Sequence, residues 1–320
     1  MYRIKRIDTA KGILILLVII GHIVLGGPAT LLHYIIYSFH MPLFIALCGY
    51  LVNWENLQKL HFGGLVKKYL YRLIIPWILA VIVYGIVSGV WTIKPYFHLW
   101  FVPSYLSWIV ISWFLLKSGL TIRKIFIVSI FLSAGCLFLR YDLPLSYGGV
   151  PRLNGGVADA LLATFRPDYY IFFALGGFLK NYKKVPAVGK ALLLSLLLFI
   201  EEILLFYYPD SYLSFILFFV FNGCLACLMV SLIESRRSSG NSFLEWVGIN
   251  SLGIYLWHVL PILFAFRYIA EGAVIFYSLA ILLEVVFFVF VFYTGKIAFV
   301  RKYFYGLESD TILGHQRSVT

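Results

Sequence analysis

The sequence predicts an all-α protein, a polytopic bundle of about ten transmembrane helices with both termini in the cytoplasm. Three observations predict it: the composition, a series of long apolar runs, and basic residues that fall on one side of those runs. Hydrophobic residues make up 62% and charged residues 12% of the 320 residues, and the mean hydropathy is +0.93. Soluble domains are about half apolar and about a quarter charged. Most of this chain is therefore expected to face lipid or other helices within lipid.

The apolar runs are long enough to cross a bilayer, which takes roughly 17 to 25 residues per helix. The first run follows Arg3, Lys5 and Arg6, a pattern that is also typical of secretory signals. Many similar runs lie downstream, so the first one is interpreted as a retained span. The predicted spans are 10–28, 33–52, 72–92, 98–116, 122–139, 167–180, 190–207, 212–233, 250–269 and 273–296.

Basic residues set the predicted orientation. Most of the 26 Lys and Arg residues lie at the N-terminus, in alternate loops and at the C-terminus, and the positive-inside rule makes that side cytoplasmic. The net charge of +12 is thereby explained by topology. The sequence contains no basic stripe on a soluble domain of the kind that would indicate nucleic-acid binding. Residues 1–300 are predicted to form a single integral-membrane domain, and 301–320 a short cytoplasmic tail.

The stretch RIDTAKGILILLVIIGHI, residues 6–23, places ionisable groups in the first span. Lys11 and His22 are eleven residues apart, so they share one helix face and are separated by about 16 Å along the axis. Asp8 lies within side-chain reach of Lys11. Lys11 could simply extend to the interface, and His22 could be a packing residue, but ionisable groups at membrane depth favour a functional site.

Further polar residues are expected at a similar depth. They are His40, His98, Glu201 and His258, and a bundle that gathers them around His22 would enclose a polar cavity. The alternative for each is a hydrogen bond between helices. The pair Cys224 and Cys227 lies in an apolar run, where small buried packing residues are the favoured interpretation. No metal site and no disulfide are predicted.

Five ordered motifs between residues 6 and 258 resemble the type-3 integral-membrane acyltransferases, and the likeness extends over residues 6–296. The likeness is greatest to the branch of fucose O-acetylase-like proteins and polysaccharide O-acetyltransferases. Two kinds of departure stand out: Lys11 and Tyr69 occupy places where many members carry Arg, and Cys48 occupies a place where many carry Ser. The motifs are RIDTAKGILILLVIIGH, FHMPLFIALCGYL, YRLIIPW, HLWFV and GINSLGIYLWH.

The resemblance implies transfer of an acyl group, commonly acetyl, from cytoplasmic acyl-CoA to a hydroxyl of a cell-surface or lipid-linked carbohydrate. It implies His22 as the catalytic residue, as general base or as acyl carrier, and acyl-CoA as cosubstrate with no bound cofactor. The charged CoA head is expected near Asp8, Lys11, Lys68 and Arg72. The acceptor or its cavity is expected near His40, His98, Trp100, Arg152, Glu201 and His258.

A second class of function stays open from the sequence. A polar cavity between helices would also suit a polysaccharide transporter or flippase, or a component of an export complex. The aligned Lys11 and His22 favour the acyltransferase, since a phosphate-bearing donor needs a cation at the cytoplasmic end and a conduit does not.

The expected location is the plasma membrane of a bacterium, with several membrane-spanning segments. The expected partners are acyl-CoA, a carbohydrate acceptor, the bilayer and proteins of polysaccharide synthesis or export, but no nucleic acid.

Overall fold

In a computed structural model of the protein, residues 5–24, 31–89, 98–140, 156–182, 188–207, 211–234, 241–269 and 274–307 are described. Within these ranges the regular structure is entirely helical, which confirms the predicted all-α class. The helices are α1 Lys5–Val24, α2 Leu31–Leu51, α3 Trp54–Lys59, α4 Phe62–Tyr69, α5 Ile75–Ser88, α6 Phe101–Lys117, α7 Ile122–Arg140, α8 Gly156–Phe165, α9 Tyr170–Tyr182, α10 Val188–Tyr207, α11 Ser211–Glu234, α12 Ser242–Ile249, α13 Ser251–Trp257, α14 Val259–Tyr268, α15 Val274–Thr294 and α16 Ala298–Tyr303.

Six helical segments among the described residues are long and apolar enough to cross a membrane. They are Lys5–Val24, Leu31–Leu51, Phe62–Ser88, Ile216–Glu234, Ser251–Tyr268 and Val274–Thr294. Shorter apolar helices cover Phe101–Lys117 and Leu192–Glu201. A membrane protein with several spanning helices is thus supported, while the number ten and the cytoplasmic termini stay predictions.

The chain divides into two compact units. The first contains Met1–Pro28, Leu60–Val102 and Gly240–Thr320, and the second contains Ala29–Lys59 and Pro103–Ser239. Each unit is therefore built from segments that are far apart in the sequence. Predicted site residues fall in both.

In the first unit, α1 packs on α12 backbone to backbone. A β-carbon added to Gly12 would overlap the carbonyl oxygen of Leu244, and one added to Gly248 would overlap that of Asp8. Glycine is the residue that permits such an approach. Helix α12 begins after Asn241, whose side chain accepts hydrogen bonds from the amides of Phe243 and Leu244. This short helix was not among the predicted spans, and it fixes the segment of α1 that carries Lys11.

In the second unit, a proline inside α2 has a partner on α11. Pro42 has no N–H, so the carbonyl of Ser38, four residues earlier, lacks its helical donor. The side-chain amide of Asn222 donates to that carbonyl at 2.8 Å. Helix α2 also packs closely on α9, where a β-carbon on Gly49 would overlap the carbonyl of Phe173. A buried amide thus compensates for the proline and joins two helices of this unit.

The predicted span 250–269 is not one continuous helix. Helix α13 ends at Trp257 and α14 begins at Val259, with His258 in a turn between them. Pro261 explains the break, because it cannot donate to the carbonyl of Trp257 and its ring crowds the preceding turn. The predicted span is nevertheless present as the membrane-length segment Ser251–Tyr268, with a local break at His258. The consequence is that His258 lies where the helix is interrupted.

Candidate functional site

Three histidines from distant parts of the sequence meet in the first unit. The ring centroid of His22 lies 5.2 Å from that of His258 and 6.1 Å from that of His98. The centroids of His98 and His258 are 5.4 Å apart. His98 and His258 are buried, at 2% and 0% exposure, and His22 is half-buried. Of the four polar residues expected near His22, the structure brings His98 and His258 to it.

The turn that carries His98 is held by three hydrogen bonds to two side chains on neighbouring helices. On α5, the Trp77 indole donates to the carbonyl of Leu99 at 3.0 Å. On α13, the Tyr255 hydroxyl donates to the carbonyl of His98 and accepts from the amide of Phe101 at 3.2 Å. The backbone on both sides of the His98 ring is thereby fixed. These bonds position the segment of backbone from which the ring extends.

His258 is oriented by its own backbone. Its Nδ1 lies 2.9 Å from the carbonyl oxygen of Tyr255 and 3.1 Å from that of Ile254. Because a carbonyl oxygen can only accept, Nδ1 is the protonated nitrogen of the neutral ring. The ring of His98 makes a longer contact, 3.5 Å from its Nε2 to the carbonyl oxygen of Leu256. Of these two rings, His258 has the more firmly defined tautomer.

Aromatic residues wall the cluster, and two of them were not among the predicted site residues. Tyr84 on α5 is fully buried, with its ring centroid 4.8 Å from that of His98. It stacks on Trp257 at 6.4 Å with an interplanar angle of 14°. Tyr255 clamps the His98 turn. The signals in the sequence were weak, since Tyr84 is a lone polar-tipped residue in VIVYGIV and Tyr255 precedes His258 by three residues.

The basic residues expected at the donor end belong to the same unit. The ammonium of Lys11 lies 2.8 Å from Oδ1 of Asp8, and the side chains are 20% and 7% exposed. Asp8 therefore holds Lys11 in place and partly neutralises it. Lys68 lies near the ring of Tyr69, 5.4 Å from its centroid.

Arg72 lies in a single turn of π-helix, Leu70–Ile74, in which the amide of Ile75 donates to the carbonyl of Leu70. Pro76 accounts for the wider turn, because it cannot provide the α-helical donor to the carbonyl of Arg72. Gly306, at φ +64°, packs directly on that carbonyl. Turns of this kind are frequent at functional sites.

The C-terminal segment contacts both the π-helical turn that carries Arg72 and the aromatic residues around the three histidines. Lys302 on α16 lies 4.8 Å from the ring centroid of Tyr71. The Trp257 indole donates to the carbonyl of Phe304 at 3.1 Å, and the hydroxyls of Tyr305 and Thr294 are 2.6 Å apart. A groove of about 450 Å³ beside Trp257 is lined by apolar side chains, among them Phe290 and Phe304. The chain beyond α15 is thus part of the support of the site.

The other predicted residues are placed as follows. Trp100 lies in the same turn as His98, with its ring 6.2 Å from that of Phe101. His40 is buried in the second unit, where its Nδ1 is 2.6 Å from the carbonyl oxygen of Ile36. Glu201 is exposed on α10 of the same unit. Arg152 lies outside the described residues.

Chemically, the cluster offers three imidazoles, of which those of His98 and His258 are buried. An imidazole can accept a proton from a hydroxyl, return it to a leaving group, or carry an acyl group itself. Within the described ranges no group of three His, Cys, Asp or Glu side chains has the geometry of metal ligands.

Comparison with known proteins gives one match. No curated protein and no solved structure is significantly similar to the chain. A family model described as an acyltransferase domain, that of the acyltransferase 3 family, matches residues 4–301. The match covers nearly the whole chain and includes all three histidines of the cluster. The chain, which contains several helices long enough to cross a membrane, belongs to the acyltransferase 3 family.

Proposed function

We propose that this protein transfers an acyl group, acetyl in the simplest case, from cytoplasmic acyl-CoA to a hydroxyl of a cell-surface or lipid-linked carbohydrate. The observation that carries the proposal is the position of His22. It lies 5.2 Å from His258 and on the same helix as the Lys11–Asp8 pair. One helix thus connects a charged end with an imidazole cluster, in a chain of an acyltransferase family.

The donor would bind at the charged end. Acyl-CoA has a phosphate-bearing head and a long flexible thioester arm, so Lys11, Lys68 and Arg72 would hold the head while the arm extends toward His22. Lys11 and His22 are separated by about 16 Å along α1. His22 then takes part in the transfer, as the general base for the acceptor hydroxyl or as the transient carrier of the acyl group.

The acceptor would approach the same cluster from the side of His98 and His258. Trp100 lies in the His98 turn, and aromatic faces pack well on the apolar faces of sugar rings. The plasma membrane of a bacterium, with polysaccharide synthesis or export proteins as neighbours, is the setting this proposal implies. The proposed direction of acyl flow is from the cytoplasm to the outer surface.

The test is His22→Gln in detergent-purified protein of checked monodispersity. If His22 takes part in the transfer, the variant should fold and bind a non-hydrolysable acyl-CoA analogue as the wild type does. Its single-turnover transfer to a sugar acceptor should fall by roughly 10² to 10⁴, the usual contribution of a positioned acid–base group. The matched control is His61→Gln, since His61 is an exposed histidine of the same unit.

Two results would contradict the proposal. Normal transfer by His22→Gln would remove His22 from the chemistry. A wild-type protein that moves polysaccharide across the membrane but leaves its acyl content unchanged, by mass spectrometry of the polymer with and without the protein, would favour the transporter instead.

A further inference from the structure

The two nitrogens of His258 have different surroundings. Nδ1 donates to the carbonyls of Tyr255 and Ile254, at 2.9 and 3.1 Å. The proton of the neutral ring is therefore on Nδ1, and Nε2 carries a lone pair. The backbone at the α13–α14 break thus sets which nitrogen can act as a base.

Nε2 of His258 is a buried acceptor without a hydrogen-bond partner among the described residues. The whole residue is 0% exposed. Buried polar atoms of this kind are rare in folded proteins and call for an explanation. The rings around it include the imidazoles of His22 and His98, with centroids at 5.2 and 5.4 Å, and the ring of Tyr255 at 6.3 Å. A substrate group that donates a hydrogen bond would satisfy this nitrogen.

We propose that Nε2 of His258 is the atom that accepts the proton of the acceptor hydroxyl, a catalytic role distinct from that of His22. The proposal rests on the proposed acyl transfer. Over the whole transfer, the hydroxyl oxygen forms a bond to the acyl carbon, the carbon–sulfur bond of the thioester breaks, and the hydroxyl proton passes to Nε2. The resulting imidazolium returns the proton to the CoA thiolate, which leaves neutral His258 and free CoA.

The fixed tautomer is what suits His258 to this role. A ring that could rotate would present the protonated nitrogen to the hydroxyl part of the time, whereas the two carbonyls hold this ring in one state. The same bonds stabilise the imidazolium, because its Nδ1–H remains directed at carbonyl oxygens. With the hydroxyl proton assigned to His258, His22 keeps the other role proposed for it, as transient carrier. It takes the acyl group from sulfur and passes it to the hydroxyl oxygen, so the carbon–sulfur bond breaks before the oxygen–carbon bond forms.

Two variants separate this role from a structural one. His258→Asn retains a side-chain N–H near the position of Nδ1, so it preserves a donor to the backbone carbonyls and removes the group at Nε2. His258→Gln retains a polar atom near Nε2 and shifts the donor away from those carbonyls. If His258 only held the backbone, the Asn variant would be nearly normal and the Gln variant damaged.

The proposal expects a different pattern. His258→Asn should melt within a few degrees of the wild type and bind the acyl-CoA analogue normally, while its single-turnover transfer falls by about 10² to 10⁴. The apparent KM for acyl-CoA should change little, so the loss should appear in kcat. His258→Gln should also lose transfer. Combining His22→Gln with His258→Asn should give a loss smaller than the product of the two, because both groups act in one reaction.

Transfer within tenfold of the wild type by His258→Asn would overturn the inference. If that variant does not fold, transfer by His258→Gln, normalised to the bound acyl-CoA analogue, decides in the same way. Failure of the proposed function would give a different result, because the wild type itself would then transfer no acyl group. Loss of transfer in His22→Gln with full transfer in His258→Asn would sink this inference alone.

Discussion

Gly248 on α12 packs directly on the backbone carbonyl of Asp8, the residue that pairs with Lys11. The contact between α1 and α12 therefore also positions the charged end of the site. Any side chain at position 248 must displace the turn of α1 that carries both charged groups.

Gly248→Ala should lower stability and activity together. The added methyl group overlaps a backbone oxygen, and overpacking of this kind typically costs about 1 to 3 kcal/mol. Thermal melting should show the loss, and the apparent KM for acyl-CoA should rise. The control is Gly135→Ala, since nothing lies within 4 Å of a β-carbon there. Equal behaviour of the two variants would show that the close contact has no consequence.

Lys11→Gln should weaken donor binding. If the ammonium holds a CoA phosphate, its loss should raise the apparent KM for acyl-CoA and make the remaining activity less sensitive to salt, because exposed charge contacts are screened. The effect is expected to be modest, since Lys11 is already paired with Asp8. Lys117→Gln, at an exposed lysine of α6, serves as the control. An unchanged KM in lipid-reconstituted protein would remove Lys11 from the donor site.

Tyr255→Phe should loosen the His98 turn. It removes the hydroxyl that serves both the carbonyl of His98 and the amide of Phe101, and leaving a buried group unsatisfied costs about 1 to 3 kcal/mol. We expect a lower melting temperature and a reduced kcat, with donor binding retained. Tyr268→Phe, at a tyrosine that is 66% exposed, should change neither. A wild-type kcat for Tyr255→Phe would mean that the orientation of the turn does not affect transfer.

The effects of Asn222→Ala and Pro42→Ala on stability should not be additive. Alone, Asn222→Ala removes the 2.8 Å bond to the carbonyl of Ser38 and should destabilise the protein by about 1 to 3 kcal/mol. In the Pro42→Ala background, residue 42 regains an N–H that can donate to that carbonyl, so the same change should cost less. Melting of the four proteins of the double-mutant cycle measures the difference. Additive effects would show that the amide does not compensate for the proline.

The predicted orientation can be tested with two exposed positions. In a background without the four native cysteines, Val157→Cys should react with a membrane-impermeant maleimide added to intact cells. Ser118→Cys, in the basic loop after α6, should react only after permeabilisation, because the positive-inside rule places it in the cytoplasm. Both residues are exposed in the structure. The reverse labelling would invert the topology and the direction of acyl flow.

The helical class and the importance of the first span were available from the sequence. Hydrophobic composition and long apolar runs require helices, since a backbone in lipid must satisfy its own hydrogen bonds. The spacing of Lys11 and His22 required no knowledge of the fold, because both lie on one helix. The pairing of Lys11 with Asp8, at 2.8 Å, follows equally from local geometry.

The residues that lie next to His22 could be identified only from the tertiary structure. His98 and His258 lie far away in the sequence, and no local rule distinguishes them from His40, which is buried in the other unit. The break before Pro261 and the tautomer of His258 are local, because the hydrogen bonds of His258 join residues three and four apart. The wall of Tyr84 and Trp257 depends on which rings come together after packing. Sequence by itself determined that a membrane helix carries a cation and an imidazole on one face. Only the packing of α5, α13 and the His98 turn decided which groups surround that imidazole, because such contacts join residues that are not neighbours in the chain.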